Sequence, residues 1–593
     1  MVGLPSISPQ ASTEPTHTVS TKILVDGSDL TKKPGGLLSM SVQNELNRIP
    51  SANIVWADGA VEKGTFSKSS SVNFAPGKMV DIQLGYQNQT ENVFKGLIVR
   101  HRIKASAGSP SALELECKDA AIHLTLTRKS RYFVDQKDKS VFQEIIGEYK
   151  NRGVTIGTLD DTEAPQPELV QYDCTDWDFL VMRAEANGLV VMVSNGKISI
   201  VKPAKAAKAD FEVTWGTDLL DLEAEMDVRT HYADISTSSW DAVNSKMATE
   251  KGSGNTGAVG SAAGALNGLG QAAGAAGNAL GIDTGVEDTR HQFPEVFYQS
   301  EKPQLFHGGD MDTKALGAWA KGQQKRAELS QVRGRVQVRG RHYVPLHTLA
   351  LKKVAGRFNG SHLISGVLHQ VHSGTWEVDI QFGLSAQTFA ETKPYITSPE
   401  AGGLLPAIQG LHVGIVTKIE GDTVTGGHRI KVKIPFIADQ GRNSEGIWAR
   451  QATISAGDKR GSVFRPEIKD EVILGFINND PNDAIILGML HSKTKPAPID
   501  AKDKNLQQGY FAKKGMSLLF DDEKKSIELK TQEGYSILVS ESPGKIELKD
   551  KSGNTVTLSE SGISLVGKSN ISIEAEGEVS IKGKTIQLNK PGP

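Results

Sequence analysis

Apolar residues two apart recur through the last eighty or so residues of the chain, from about Gly509 to Asn589, and in all but one of the pairs, Ile537 and Val539 with Leu538 between them, the intervening residue is polar. The pairs are Ile527 and Leu529, Ile537 and Val539, Ile546 and Leu548, Val556 and Leu558, Ile563 and Leu565, Ile571 and Ile573, Val579 and Ile581, and Ile586 and Leu588. Alternation of this kind puts the apolar members of a short strand on one face. The spacing starts near ten residues and tightens to seven or eight, with Gly, Asn, Ser and Lys at the corners. Short-period self-similarity predicts a solenoid or an array. A β-helix closed by one chain needs roughly twenty residues per coil. One strand per seven or eight residues leaves both edges and the apolar face bare. Three chains giving one strand each per layer remove the edges, so the pattern predicts an intertwined homotrimeric needle over 509–589 with those sixteen side chains as its core. The alternative is a row of β-hairpins carried by a globular domain.

Upstream the pattern is mostly strand. From about Thr18 to Leu126, runs such as KILVDG, SANIVWADG, KMVDIQLGY and ALELECKDA are strand-length and separated by turn residues. An α+β block is expected at about 127–205. The stretch from Ser140 reads as an amphipathic helix with Val141, Ile145 and Tyr149 on one face. A second helix is predicted at about Asp176 to Asn187, with Thr175 and Asp178 as an Asp-variant capping box and Gly188 as its stop. Asn195-Gly196 predicts the hairpin turn that follows. Strands resume near Phe211 and run to about Phe389, with one helix at about Thr313 to Ser330. After a linker at 396–405, five or six short strands with Gly-rich turns over 405–492 suit a small barrel such as an OB-fold. A Pro-containing spacer at 493–508 leads to the repeat, and residues 590–593 form the tip. The fold class is thus mainly β with a small α+β insert.

Length and charge narrow this further. A chain of 593 residues exceeds the roughly 250–300 residues of one core, so several domains are expected. The net charge of −2 gives no basic field for nucleic acid. Cys117 and Cys174 read as buried thiols of a chain made in a reducing cytosol. The first eighteen residues read as a flexible N-terminus without the charged and apolar regions of a secretory signal. No run of eighteen apolar residues predicts a membrane span. The Gly/Ala-rich stretch at 252–285 reads as a surface loop rather than a membrane-active segment, because it is poor in large apolar side chains and interrupted by Asn and Gln.

Candidate chemistry mostly dissolves on inspection. Gly562 to Ser569 matches G-x-x-x-x-G-K-S, but a phosphate loop needs a helix after it, and here the strand repeat continues. His362, His369 and His372 lack a Cys or carboxylate at ligand spacing and read as scattered surface histidines. Carboxylate pairs such as Asp160-Asp161 and Asp521-Asp522 are adjacent in turns and cannot flank a glycosidic bond. No catalytic residue, cofactor site or metal site is expected.

The barrel carries an ordered series: Gly414-Ile-Val, His428-Arg-Ile-Lys-Val-Lys-Ile-Pro435-Phe436, Gly446-Ile-Trp448-Ala-Arg450, Gly461 to Pro466, Asp470-Glu-Val-Ile-Leu-Gly475, Asn479-Asp480-Pro481 and Ile486-Leu-Gly488. This series resembles the OB-fold of VgrG-type spike proteins. Asn47-Arg-Ile-Pro50, Phe94-Lys-Gly96, Cys117-Lys-Asp119, Arg128 to Phe133, Asp176 to Leu180 and Arg183 to Gly188 resemble the hub half of the same family, in the versions found in extracellular contractile injection systems. The resemblance implies tube-like β-barrels in a hub over 19–395, an intertwined trimeric β-helix behind the OB-fold, and a non-enzymatic spike driven through a target envelope by sheath contraction. It implies as partners two further copies of the chain, a hexameric inner tube protein, baseplate proteins, a PAAR-type tip protein at Ile586, Leu588, Pro591 and Pro593, effector cargo and, transiently, the target cell envelope. The particle it implies is phage tail-like, assembled in a bacterial cytoplasm and either released or membrane-anchored. A bacteriophage tail hub-spike of the same build is the alternative. Neither the lysozyme domain of some phage spikes nor the C-terminal effector of some relatives is expected on this reading, with only a short spacer after the barrel and Lys590-Pro-Gly-Pro after the repeat.

Overall fold

In a computed structural model the protein is described over residues 19–588, except 32–35, 107–108, 164, 228, 230–231, 233, 242–243, 253–301, 309–310, 394–395, 425, 427 and 438–444. The N-terminal eighteen residues, nearly all of the Gly/Ala-rich stretch, and Pro591 and Pro593 therefore lie outside the described residues. The chain is mainly β with few helices and divides into two compact units after Pro399.

The first unit is built on one 13-stranded sheet. Its N-terminal half holds Val19–Val25, Leu37–Glu45, Ser51–Ala57, Met79–Tyr86 and the long hairpin ending at Lys118. Its C-terminal half holds Phe211–Thr214, Leu219–Met226, Val332–Arg339, Thr348–Lys352, Gly360–His372 and Thr375–Phe382. One antiparallel ladder joins the halves, with Val42 opposite His369 and Met40 opposite Val371. Burial alternates along these strands: Met40 and Val42, Ile54 and Trp56, Ile82 and Leu84 are all buried. The buried residues of both halves form one cluster that runs from Ile23 to Phe382 in sequence.

Between the halves sits the α+β insert, with its own core. Its first helix, Asp138–Gly147, begins two residues before the predicted Ser140 and buries Val141, Phe142, Ile145 and Ile146. The second, Asp176–Ala186, starts where expected because Thr175 Oγ1 accepts from the Asp178 N–H at 3.1 Å. It stops at Gly188, whose φ of +68° only a residue without Cβ adopts freely. That glycine also lies against Gly322 of the helix Thr313–Ser330, where a Cβ on either would meet the other's Cα at 2.6 Å. Asn195 and Gly196, at φ of +52° and +80°, turn the hairpin Val190–Ser194 to Lys197–Val201.

The second unit opens with a closed five-stranded barrel: His412–Lys418, Arg429–Lys433, Ile447–Gln451, Ala484–Leu490 and Glu471–Phe476 in order around it. Val416, Ile430, Val432, Val472, Leu474 and Ile486 fill it. Gly446 lets the third strand start beside the second, since a Cβ there would stand 2.0 Å from the Val432 carbonyl oxygen.

The repeat follows as a seven-stranded antiparallel sheet: Gln507–Phe511, Ser517–Asp521, Ser526–Lys530, Ser536–Glu541, Gly544–Lys549, Thr555–Ser559 and Gly562–Val566. Each strand pairs with the next in the same chain. The expectation of one strand per chain per layer is therefore corrected over 507–566. A spacing near ten residues leaves enough for a tight turn, so consecutive strands can satisfy each other's backbone groups. Residues 567–588 have no regular secondary structure, and among the described residues none of them makes a backbone–backbone hydrogen bond.

Two of the three candidate surface histidines are also corrected. His362 and His369 are buried, and only His372 is exposed. Strand 360–372 runs through the middle of the large sheet and is covered on its faces, which one sequence's alternation cannot reveal.

Candidate functional site

The register of the seven-stranded sheet decides which side chains share a face. Ile527 stands opposite Val539, Leu529 opposite Ile537, Ile537 opposite Leu548 and Val539 opposite Ile546. Ile546 pairs with Leu558 and Leu548 with Val556; Leu558 then pairs with Ile563 and Val556 with Leu565. All ten sit on one face, extended at its start by Leu518, Phe520 and Tyr510. The other face is mostly polar, with Ser526, Glu528, Lys530, Ser540, Lys545, Glu547, Lys549, Thr555 and Thr557 at the intervening positions, and carries Leu519, Leu538 and Val566 among them. Nine of the ten apolar residues are exposed and Val556 is half-buried. A contiguous apolar face of this extent is unlike the largest patches of ordinary monomers and marks a site of association.

A depression of about 690 Å³ runs down this face, lined by Leu529, Ile537, Leu548, Val556 and Leu565 and reached by Ile571 from the following segment. The Lys568 N–H donates to Asn554 Oδ1 at 2.7 Å and ties the start of that segment to a sheet corner. Ile573, Val579, Ile581, Ile586 and Leu588 are exposed and are not brought into the sheet face. Strand 562–566 ends the sheet with no helix after it, so Gly562 to Ser569 does not have the geometry of a phosphate loop.

The hub motifs have structural roles. Asp176, at the start of its helix, has no exposed surface. It accepts from Lys129 Nζ, Arg131 and Gln171, each at 2.8 Å, and from the Tyr149 hydroxyl at 2.7 Å. Burial pushes its carboxyl up, but the hydrogen bonds from Lys129, Gln171 and Tyr149 and the charge of Arg131 outweigh it and hold it below the usual carboxylate range. Asp138 accepts both Nε and Nη2 of Arg183, at 2.7 and 2.8 Å, and the Asn187 amide at 3.0 Å. Asp119 receives the N–H groups of Ala121 and Gly196.

Glu185 joins four elements that sequence reading did not bring together. It accepts from Asn47 Nδ2 at 2.8 Å, from the Phe389 N–H at 2.7 Å and from Arg326, while Asn47 Oδ1 accepts from the Val191 N–H at 2.8 Å. The only sequence signal was a carboxylate on the apolar side of a short helix. In the barrel, Arg429 pairs with the buried Asp422 at 2.7 Å, and Arg429 and Lys431 flank the Trp448 ring.

Cys117 and Cys174 are free and buried, and burial pushes the Cys117 thiol up to about 12. Among the described residues no three His, Cys, Asp or Glu side chains are grouped to hold a metal, and no helix is long and apolar enough to cross a membrane.

Against known proteins, the Alg8 N-terminal domain family matches residues 15–267 and 288–373, more than half of the chain. The type VI secretion system/phage-baseplate injector OB domain matches 412–491. Among curated relatives, the type VI secretion system spike protein VgrG5 of Pseudomonas aeruginosa is 24% identical over 160 residues, 24% of this chain and 20% of its own length. VgrG3 of Vibrio cholerae is 31% identical over 101 residues, covering 16% of this chain and 10% of its own length. The chain thus spans a fifth or less of the curated relatives it matches. Among solved structures, an E. coli type VI secretion component overlaps 79% of this chain and all of its own at 13% identity, with a TM-score of 0.38. A chain of the Francisella PdpA–VgrG complex overlaps 90% of this chain and 79% of its own at 10% identity, with a TM-score of 0.40.

Proposed function

The chain belongs to the Alg8 N-terminal domain family and is a VgrG-like spike component of the type VI secretion and phage-baseplate class; from that premise we propose that it acts as a non-enzymatic homotrimeric spike at the tip of a contractile injection apparatus. The observation that carries the reading is the exposed apolar face of the sheet over 507–566, backed by a mostly polar opposite face. Three such faces packed around an axis make a dry core of Ile, Leu and Val, with Lys, Glu, Ser and Thr outside. Burying the exposed share of each Ile or Leu stabilises the trimer by roughly 1 kcal/mol per side chain.

Beyond Val566 the trimer changes construction. The apolar spacing is eight from Ile563 to Ile571 and again to Val579, and among the described residues no backbone partner is offered by the same chain. Buried backbone groups need partners, and the two other chains supply them, so Ile571, Ile573, Val579, Ile581, Ile586 and Leu588 close an intertwined β-helix. The tip residues Ile586, Leu588, Pro591 and Pro593 then meet a PAAR-type protein. In the hub, the two halves of the 13-stranded sheet act as two tube-like domains per chain, six per trimer, against a hexameric inner tube ring held by baseplate proteins. Sheath contraction drives this assembly, with any effector cargo, through a target envelope; stiffness comes from the strand ladders and the dry core.

Two substitutions test the reading. Ile571→Asp with Ile573→Asp places six carboxylates in a core with no countercharge. The expected outcome is loss of SDS-resistant trimers and of delivery by particles whose sheath still contracts. Trimers and delivery at wild-type levels overturn it. Since the OB domain occurs in both machines, a capsid gene beside this one favours a phage tail hub-spike, and sheath and tube genes with an ATPase but no capsid favour an injection system.

A further inference from the structure

The apolar face of the seven-stranded sheet does not stop at its first strand. Along one column Tyr510 stands opposite Leu518, Leu518 opposite Leu529 and Leu529 opposite Ile537. Tyr510 heads that column, and the Phe464 ring of the barrel stacks on it, with centroids 5.4 Å apart and planes 12° from parallel. Phe464 closes a finger, residues 452–464, that leaves the barrel after strand Ile447–Gln451. Only a short ladder holds the finger together, Ala456–Gly457 against Arg460–Gly461. The Thr453 and Ser462 hydroxyls bridge its base at 2.7 Å, and the Ser462 N–H donates to the Ser455 carbonyl at 2.9 Å. Yet the finger exposes Ile454 at 84%, Val463 at 73% and Phe464 at 51%. A hairpin this small is marginal in water without an apolar partner. Two ion pairs brace the same joint, Lys513 with Glu467 at 2.6 Å and Lys495 with Asp470 at 2.5 Å.

We propose that the finger belongs to the contact between copies: Ile454, Val463 and Phe464 of each chain pack against the other two chains. The inference rests on the homotrimeric spike reading and adds the surface by which three barrels are held in register with the needle. Two observations single out a second copy as the occupant. The finger is continuous with the face that the other copies cover, because a chain seated on Leu518 and Leu529 reaches Tyr510 at the head of their column and meets the Phe464 ring lying there. A cyclic trimer also brings the same patch of every copy to one axis, so three Tyr510–Phe464 pairs converge where the sheet begins. The consequence is mechanical. Thrust passes from barrel to needle through packed side chains and the two ion pairs, and the spacer at 493–508 does not act as a hinge.

The test puts the photoreactive residue p-benzoylphenylalanine in place of Val463 in the full chain. The mass of the sample is measured by light scattering, and linked peptides are then read by mass spectrometry after separation on a boiled SDS gel. The expected result is a trimer whose links join two chains, from position 463 to residues 452–464 or 508–520 of another copy. A trimer whose links stay within one chain, reach only residues 19–399, or do not form overturns this inference and leaves the spike reading standing. A monomer overturns both. In parallel, Ile454→Ser with Val463→Ser should leave the trimer intact and speed amide exchange at Ser455 and Ser462 at least about tenfold. Unchanged exchange in that trimer would show that nothing covers the finger, and would overturn the inference as well.

Discussion

Leu548 and Glu547 are neighbours in sequence and opposites in orientation, which makes them the sharpest pair for probing the sheet face. Leu548 is 45% exposed in a single chain and stands between Ile537 and Val556 at mid-sheet. Leu→Ala in a full core costs roughly 2–5 kcal/mol. About half of that burial already exists within the chain, so the share specific to assembly is roughly 1–2 kcal/mol per chain. Three chains lose roughly 3–6 kcal/mol together, which weakens association about 10²- to 10⁴-fold at 1.4 kcal/mol per decade. Glu547 lies on the polar face, paired with Lys545 at 3.0 Å, and a partly exposed pair is worth only ~0–1 kcal/mol. Sedimentation of Leu548→Ala and Glu547→Ala over a dilution series, with circular dichroism confirming the strands, reads the difference. Leu548→Ala is expected to dissociate at far higher concentration than wild type, and Glu547→Ala to follow wild type. Equal behaviour of the two variants would show that the apolar face packs against nothing.

Four further outcomes follow from the first unit. Glu185→Ala strands Arg326 and the Phe389 N–H in a buried site, and should cost roughly 3–5 kcal/mol in the unfolding of the first unit by calorimetry. Gly322→Leu drives a side chain into Gly188, at roughly 1–3 kcal/mol or more, measured as a lowered Tm of the same transition. Asp176 is held below its ordinary range, so its contribution is present above the unfolded carboxylate value and is lost as pH falls through the folded one. Asp176→Asn should therefore be less stable than wild type at pH 6 and converge with it in strong acid. His369 is pushed down to about 3 by burial, with the nearby His342 adding to it; the Trp376 Nε1–H approaches its Nδ1 at 3.4 Å, and Glu91 pairs with His342. Its neutral form is the folded one, so stability is full above pH 6.5 and falls as pH drops from there towards 3. His369→Leu should flatten that part of the pH profile.

Local signals were legible where one or two residues decide the geometry. Thr175 with Asp178, Gly188, and Asn195-Gly196 each placed a helix end or a turn, because caps and positive-φ turns are set by the side chains themselves. The barrel strands could be read from alternation, and the near-regular alternation of Ile, Leu and Val in the repeat, broken at Leu538 and Val566, put ten predicted core residues on one face. Strand partnership was not legible there. A spacing near ten permits both pairing with the next strand of the same chain and pairing across chains, and the choice depends on turn closure between residues such as Lys530 and Ser536. The buried carboxylates Asp176 and Glu185 were also hidden, since their partners Arg131, Asn47 and Arg326 lie 45, 138 and 141 positions away. Strand 360–372 showed the same limit: His369 lies in the sheet between Val42 and Val378, on strands brought from both ends of the unit.

The mass of the purified chain in solution, by light scattering, beside a truncation ending at Asn505, tests the central claim most directly. The account predicts a particle near three times 63.7 kDa that resists SDS only when residues 506–593 are present. A monomer at every concentration for both proteins would contradict it, leaving the apolar face over 507–566 without the two copies that the spike requires.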